Sequence, residues 1–305
     1  MSTRSTRSAH HQPLRMAVLL MAAAMLLSAC ATSASLSGSA AASCDKASLA
    51  LKTKGTLTLS TDNPAYSPWF AGGNDGATVF NGEYGNDPNN GQGFEGALAY
   101  AIAAKLGFAK SEVTWIVTTF DQSFAPGPKA FDLFLNQVSI RADRAKAVDF
   151  SVGYYDVAQG VVTVEGSKIA GATSIADLKG AKLGAQIGTT SYQAILDTIK
   201  PTTDPAVFNT NDDAVAALNA GTIDGIVVDV PTAFYMRDAQ LTGGMIVGQL
   251  PQSGATPEQF GVVLEKGSTL TSCVDAAIAA LKDDGTIASL EQTWLAEKAS
   301  APILK

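Results

Sequence analysis

The sequence predicts an α/β protein with open, mostly parallel sheets shared between about two domains. Strand-like and helix-like segments alternate along the chain, the pattern of parallel sheets flanked by helices. The chain has 305 residues, more than one hydrophobic core usually serves, since single cores stop growing at about 250–300 residues. With 46% hydrophobic and 16% charged residues it is an ordered globular chain, not a disordered one.

Residues 55–60 (GTLTLS) alternate as a strand. Residues 94–106 (FEGALAYAIAAKL) carry apolar positions at helical spacing and stop at Gly107. Residues 112–117 (EVTWIV) return to strand. Residues 182–187 (KLGAQI) form a strand that runs into Gly188, Thr189 and Thr190, with a helix from Ser191. Asn211 and Asp212 suit the cap of the helix DAVAALNA, which ends at Gly221. Residues 223–229 (IDGIVVD) read as a buried strand, and Pro231 fits the first turn of the next helix. Two helices, near 270–282 and 285–297, close the chain. Residues 71–93, rich in Gly, Asn and Asp, read as a long excursion, either functional or merely solvated.

The first 29 residues stand apart. Arg4, Arg7 and Arg15 precede an apolar run over 16–27 and small residues before Cys30, the layout of a secretory signal. The run is shorter than the ~20 apolar residues of a membrane span. The tetrad Leu27-Ser28-Ala29-Cys30 resembles a bacterial lipobox, which implies cleavage before Cys30 and diacylglycerol attachment to its sulfur. Residues 31–43, nearly all small, read as a flexible tether.

Removing the leader takes away three Arg and both histidines, His10 and His11. It leaves 18 Lys and Arg against 28 Asp and Glu, a net charge of −10. A chain without histidine excludes Ser-His-Asp and Cys-His catalysis, histidine bases and histidine-ligated metal. The acidic balance lacks the footprint of a nucleic-acid binder. Neither GxGxxG nor GxxxxGK[ST] occurs, and no cofactor or metal is expected. If Cys30 carries lipid, Cys44 and Cys273 remain. An oxidising compartment implies a disulfide between them, the alternative being two buried thiols.

Four segments carry binding chemistry. In TDNPAYSPWF, after the first strand, Asp62 and Asn63 supply acceptors, and Tyr66 and Trp69 supply flat faces for a ligand or for the core. In SIRADRAKAVDFSVGYYD, Arg144 and Arg141 are the carboxylate-binding candidates, against the plainer reading of solvated arginines. Gly188, Thr189 and Thr190 offer N–H groups and hydroxyls where a helix begins, which serves an anion or merely a cap. Asp229 ends an apolar strand, where a carboxylate needs a cation, either a ligand ammonium or an internal Lys or Arg. Together they complement a free α-amino acid.

The mature chain from about Gly55 onward resembles the polar amino acid-binding subgroup of bacterial extracellular solute-binding proteins (family 3), which serve ABC importers. The landmarks are GTLTLSTDNPAYSPW, GFEGALAYAIAAKLGF, FD at 120–121, SIRADRAKAVDFSVGYY, LGAQIGTT and AALNAGTIDGIVVDVP. APGPKAFDLFLNQ is similar to a version from an actinobacterial branch. The resemblance implies a two-lobed periplasmic-binding-protein fold with a two-strand hinge. Residues 1–29 would be the signal peptide and 30–50 the lipidated N-terminus and tether. Residues 51–155 and 251–305 would form one lobe and 156–250 the other, with crossings near 154–159 and 248–253.

The resemblance also implies roles. Arg144 and Ser139, with Gly188, Thr189 and Thr190, would hold the α-carboxylate end. Asp229 would receive the α-ammonium. Tyr66 and Phe120 would sandwich the ligand, and Gln186 would face its side chain. Arg141 stands where the family usually has Thr, and Gln137 replaces a small residue. An added residue before Tyr66 leaves open whether Asp62 or Asn63 faces the ligand. Arg141 in the cleft would favour an acidic or amide ligand and the acidic net charge a cationic one; both stay open.

The implied protein is a monomeric, lipid-anchored receptor outside the cytoplasm, passing an amino acid to a membrane permease. A ligand-sensing lipoprotein and a dehydratase-type enzyme on the same scaffold are the alternatives. Without histidine the enzyme would need a carboxylate, Lys or Tyr as its acid or base.

Overall fold

The computed structural model describes residues 43–81, 85–252, 256–295 and 301–305. The expected leader, Cys30 and the tether to residue 42 lie outside the described residues.

The chain opens with β1 (Leu57–Thr61), α1 (Phe94–Lys105), β2 (Val113–Val117), α2 (Phe120–Ser123), β3 (Leu133–Phe134) and β4 (Val148–Phe150). It crosses over in β5 (Tyr155–Val157). A second set follows: β6 (Gln159–Val164), α3 (Ile175–Leu178), β7 (Leu183–Gln186), α4 (Thr190–Ala194), β8 (Ala206–Phe208), α5 (Asn211–Asn219), β9 (Gly225–Asp229), α6 (Val230–Tyr235) and β10 (Gly244–Gln249). The chain returns through β11 (Glu258–Phe260) and β12 (Val263–Glu265), then α7 (Thr271–Asp283) and α8 (Thr286–Trp294).

The strands form two five-stranded sheets, one per lobe, in the orders β2-β1-β3-β12-β4 and β10-β6-β9-β7-β8. Each sheet is more mixed than alternation alone implies. β1 runs parallel to β2 and β3, whereas β12 runs antiparallel to β3 and β4. In the second lobe β7 runs parallel to β8 and β9, while β6 is antiparallel to β9 and β10. The antiparallel strands are those adjoining the crossings, where the chain reverses direction. Although GTLTLS alternates in sequence, all five residues of β1 are buried, because chain covers both faces of this central strand.

The crossings are the antiparallel pair β5 and β11, with Tyr155 opposite Phe260. The first lies at Tyr155–Val157. The return falls at Glu258–Phe260 and not at 248–253, because residues up to Gln249 pair with β6 in the second sheet. The tail also departs from the expected division. Ile303 bridges to Gln249, and Leu304 packs with Val247 and Leu250 in the second lobe's core.

Local chemistry accounts for the helices. Thr210, not Asn211 or Asp212, caps α5: its hydroxyl accepts from the Asp213 N–H while Asp213 reaches back to the Thr210 N–H. The 71–93 segment is tied down. Phe80 is buried in the first lobe's core, and Asn86 donates to the Ala65 carbonyl while accepting from the Gly73 N–H. Cys44 and Cys273 form a disulfide, joining the start of the fold to α7 across 229 positions of sequence.

Candidate functional site

β1, β7 and β9 direct their C-terminal ends at one cleft between the lobes, where open α/β sheets place ligands. The cavity there takes Asp62, Asn63 and Tyr66 from the loop after β1, Phe120 from the start of α2, and Gln137 and Ser139 from the segment after β3. Across it stand Gln186, Thr189, Thr190 and Asp229 of the second lobe.

Asp229 ends β9. Gln159 Nε2 donates to its carboxylate at 3.0 Å, and Gln159 Oε1 accepts from the Ser191 hydroxyl. Burial, then the nearby Glu258 carboxylate, pushes the Asp229 pKa up to about 8. No ion pair to Asp229 occurs among the described residues.

The turn after β7 needs Gly188, whose φ is 75°, in the left-handed region. Thr189 is the cap of α4: its hydroxyl accepts from the Tyr192 N–H at 3.1 Å and donates to the Gln186 carbonyl at 2.7 Å. That frees Thr190, the first helical residue, whose hydroxyl lies 3.2 Å from Ser139 Oγ across the cleft.

Arg144 does not line this cavity; it stands behind Ser139, in a neighbouring pocket with Phe124, Arg141 and Gly188. Nη1 donates to the Ser139 carbonyl at 2.9 Å, and Nη2 donates across the cleft to the Gly188 carbonyl at 2.7 Å. The guanidinium carbon stands 4.3 Å from the Phe124 ring centre and 5.5 Å from that of Phe120. Burial, reinforced by Arg141, lowers the Arg144 pKa to about 10.

Both oxygens of Asp62 are engaged, by the N–H groups of Asn63 (2.7 Å) and Phe120 (3.0 Å), and burial raises its pKa. Asn63 Nδ2 donates to the Val79 carbonyl, while its buried Oδ1 has no protein partner. Tyr66 titrates well above an ordinary tyrosine because it is buried and faces Asp212.

Besides Arg144 and Gly188, which line the neighbouring pocket, two more expected residues stand outside the cavity. Trp69 is fully buried away from the cavity, its Nε1 donating to Thr232 Oγ1 at 2.8 Å. An indole this large finds more apolar surface in the core, beside Phe94, Tyr155 and Phe260, than in the cleft. Arg141 lies outside the cavity and pairs with Asp143, two residues on.

Sequence reasoning missed several residues. Glu258, on β11, accepts from the Ser139 hydroxyl at 2.5 Å. Missed too are Gln159, which holds the Asp229 carboxylate, and Asn136 and Asn211 as cavity residues. Gln159 and Glu258 carry no motif; only their place beside the crossings marks them. Glu95 reads in sequence as a routine acid in the first turn of a helix, yet it is fully buried.

Two sheet-centred lobes around a polar cleft define a solute-binding architecture. Residues 77–297 match the model of the bacterial extracellular solute-binding proteins, family 3, and the chain belongs to that family. An L-cystine-binding protein of Escherichia coli K12 is 28% identical over 247 residues, covering 80% of this chain and 84% of the relative. The solved structure of an ancestral arginine-binding protein bound to arginine superposes with a TM-score of 0.63 at 29% identity, covering 79% of this chain and 98% of that one. An ancestral amino acid-binding protein described as a precursor of cyclohexadienyl dehydratase gives a TM-score of 0.60 at 28% identity, covering 79% and 95%. Among the described residues no helix is long and apolar enough to cross a membrane.

Proposed function

We propose that the protein captures a free α-amino acid between its lobes and delivers it to the permease of an ABC importer. One observation carries this reading. Asp229, a carboxylate at the end of a buried strand and in no ion pair among the described residues, shares the cavity with the hydroxyls of Ser139 and Thr190, and the Arg144 guanidinium stands behind Ser139, bonded to its carbonyl. An α-ammonium fits the Asp229 carboxylate, and an α-carboxylate fits the hydroxyl and guanidinium donors. Arg144 reaches the carboxylate by exchanging its bond to the Gly188 carbonyl for one to the ligand, so capture and lobe contact use the same guanidinium. Tyr66 and Phe120 then flank the side chain, with Asn63 and Gln186 as its polar contacts. The relatives' names, cystine-binding and arginine-binding, share this α-amino acid backbone.

Within this reading the protein releases its ligand unchanged. Residues 1–29 are removed and Cys30 carries the lipid that holds the monomer at the outer face of the membrane. The lobes comprise 51–155 with most of 251–305, and 156–250. Supporting these assignments are the family's extracellular character and the small-residue tether after Cys30.

The test compares one bound amino acid with its N-acetyl derivative and its decarboxylated amine, by calorimetry on mature protein. Each derivative loses one of the two charged anchors, and each should bind at least about 30-fold more weakly, the loss of a buried charged partner. Equal binding by either derivative rejects the assignment of that end.

A further inference from the structure

Glu95 is a buried ionisable group with no part in the binding contacts proposed above. It lies in the first turn of α1, fully buried, with no cation among the groups that shift its pKa. An uncompensated carboxylate is costly inside a protein, and α1 already packs through Phe94, Leu98 and Ile102. Packing alone therefore gives no reason for an acid there.

Three donors converge on this carboxylate. The Gln137 N–H donates to Oε1 at 2.7 Å, Gln137 Nε2 donates to Oε2, and the Tyr154 hydroxyl donates to Oε1. Gln137 forms part of the cavity wall, and its φ is 52°. That left-handed conformation is unfavourable for a residue with a side chain and persists where its surroundings impose it. Here one carboxylate grips both the backbone and the side-chain nitrogen of the strained residue. Tyr154, gripped by the same carboxylate, immediately precedes the hinge strand β5.

We propose that Glu95 is a positioning residue of the solute site, holding the left-handed Gln137 in the cavity wall and tying it to Tyr154 at the hinge. The proposal rests on the amino-acid-binding reading of the cavity. Because Gln137 Nε2 is committed to Glu95, the polar group that Gln137 turns to a solute is its oxygen.

The test is a double-mutant cycle on the mature protein, titrated calorimetrically with whichever of the standard L-amino acids, L-cystine, L-ornithine or L-citrulline binds wild type most tightly. Glu95→Gln removes one of the two acceptor oxygens, and it should weaken binding at least tenfold. Glycine adopts φ 52° without help. In a Gln137→Gly background, whatever that change does by itself, adding Glu95→Gln should alter affinity less than threefold. Rescue of this kind is not expected if Glu95 merely stabilises the fold. Unchanged affinity in Glu95→Gln, or an equal loss in both backgrounds, overturns the proposal. Should Glu95→Gln fail to fold, Glu95→Asp, too short to reach both Gln137 nitrogens, takes its place with the same expected loss and rescue. Wild-type protein that binds none of the panel overturns the amino-acid reading and the positioning role together, an outcome distinct from wild-type binding with no effect of Glu95.

Discussion

The indole N–H of Trp69, in the first lobe, donates to the Thr232 hydroxyl of the second lobe at 2.8 Å, and both residues are buried. Trp69 also packs edge-on against Tyr155 and Phe260, the paired residues of the two hinge strands. It thus joins the lobes beside the strands that cross between them, without lining the cavity. Thr232→Val should weaken amino acid binding through closure alone, by about 2- to 12-fold, the range of one net hydrogen bond. The loss should lie in the dissociation rate, measured by stopped-flow tryptophan fluorescence. Unchanged dissociation contradicts a role in closure.

In the proposed site Arg144 would supply the carboxylate's partner, and its Nη2 bonds to the Gly188 carbonyl across the cleft. Arg144→Ala should cost at least about 2–4 kcal/mol of binding, as expected on removing a buried charged partner. Calorimetry that finds near-native affinity removes Arg144 from the site.

Asp229 gives binding a pH dependence. Its pKa near 8 means that the free cleft holds a proton there at pH 7. An ammonium ligand needs the ionised form, so binding below pH 8 must release that proton. Affinity should rise about tenfold per pH unit between pH 6 and 7.5 and level off above 8. Asp229→Asn should abolish this slope along with most of the binding. Calorimetry in buffers of different ionisation enthalpy checks the proton count, and no release at pH 6.5 contradicts the assignment.

Glu95 should shape stability in the same pH range. Burial raises its pKa from 4.5 to about 7, so between those values the folded state binds more protons than the unfolded one. Its contribution is fully present below pH 4.5 and is lost as pH rises through 7, amounting to roughly 3 kcal/mol by pH 8. Glu95→Gln should flatten the fall of the melting midpoint over this window. An undiminished fall places the titration elsewhere.

The Cys44–Cys273 disulfide closes most of the chain into one loop. Reduction, or Cys44→Ser with Cys273→Ser, should lower stability by about 2–5 kcal/mol. Thiol titration of the oxidised, denatured protein beginning after Cys30 should find no free thiol.

The fold was legible where local pattern and tertiary burial agree. α1 ends at Lys105, just before the predicted stop at Gly107, and β9 runs to Asp229 as its apolar run requires. The return crossing was not legible, because β10 and β11 are both short segments flanking Pro251 and Pro257 and only pairing decides which spans the lobes. In the site, residues within motifs, such as Thr190 and Asp229, fall together in the cavity. Trp69 shares its motif with Tyr66 yet turns into the core, since sequence does not tell which ring of a loop faces inward. Glu95, Gln159 and Glu258 owe their positions to contacts 42 to 119 residues apart, beyond the reach of any local pattern.

The central claim, capture of an amino acid, is tested most directly by a thermal-shift panel on mature protein that has been unfolded and refolded to strip carried-over solute. The panel holds the standard L-amino acids, L-cystine, L-ornithine, L-citrulline and several non-amino-acid solutes at ~1 mM. A micromolar ligand at that concentration stabilises by about 4 kcal/mol, a shift of roughly 8 °C or more for a chain of this size. Shifts confined to one or a few amino acids are the predicted result. A folded protein whose midpoint moves with none of them contradicts it.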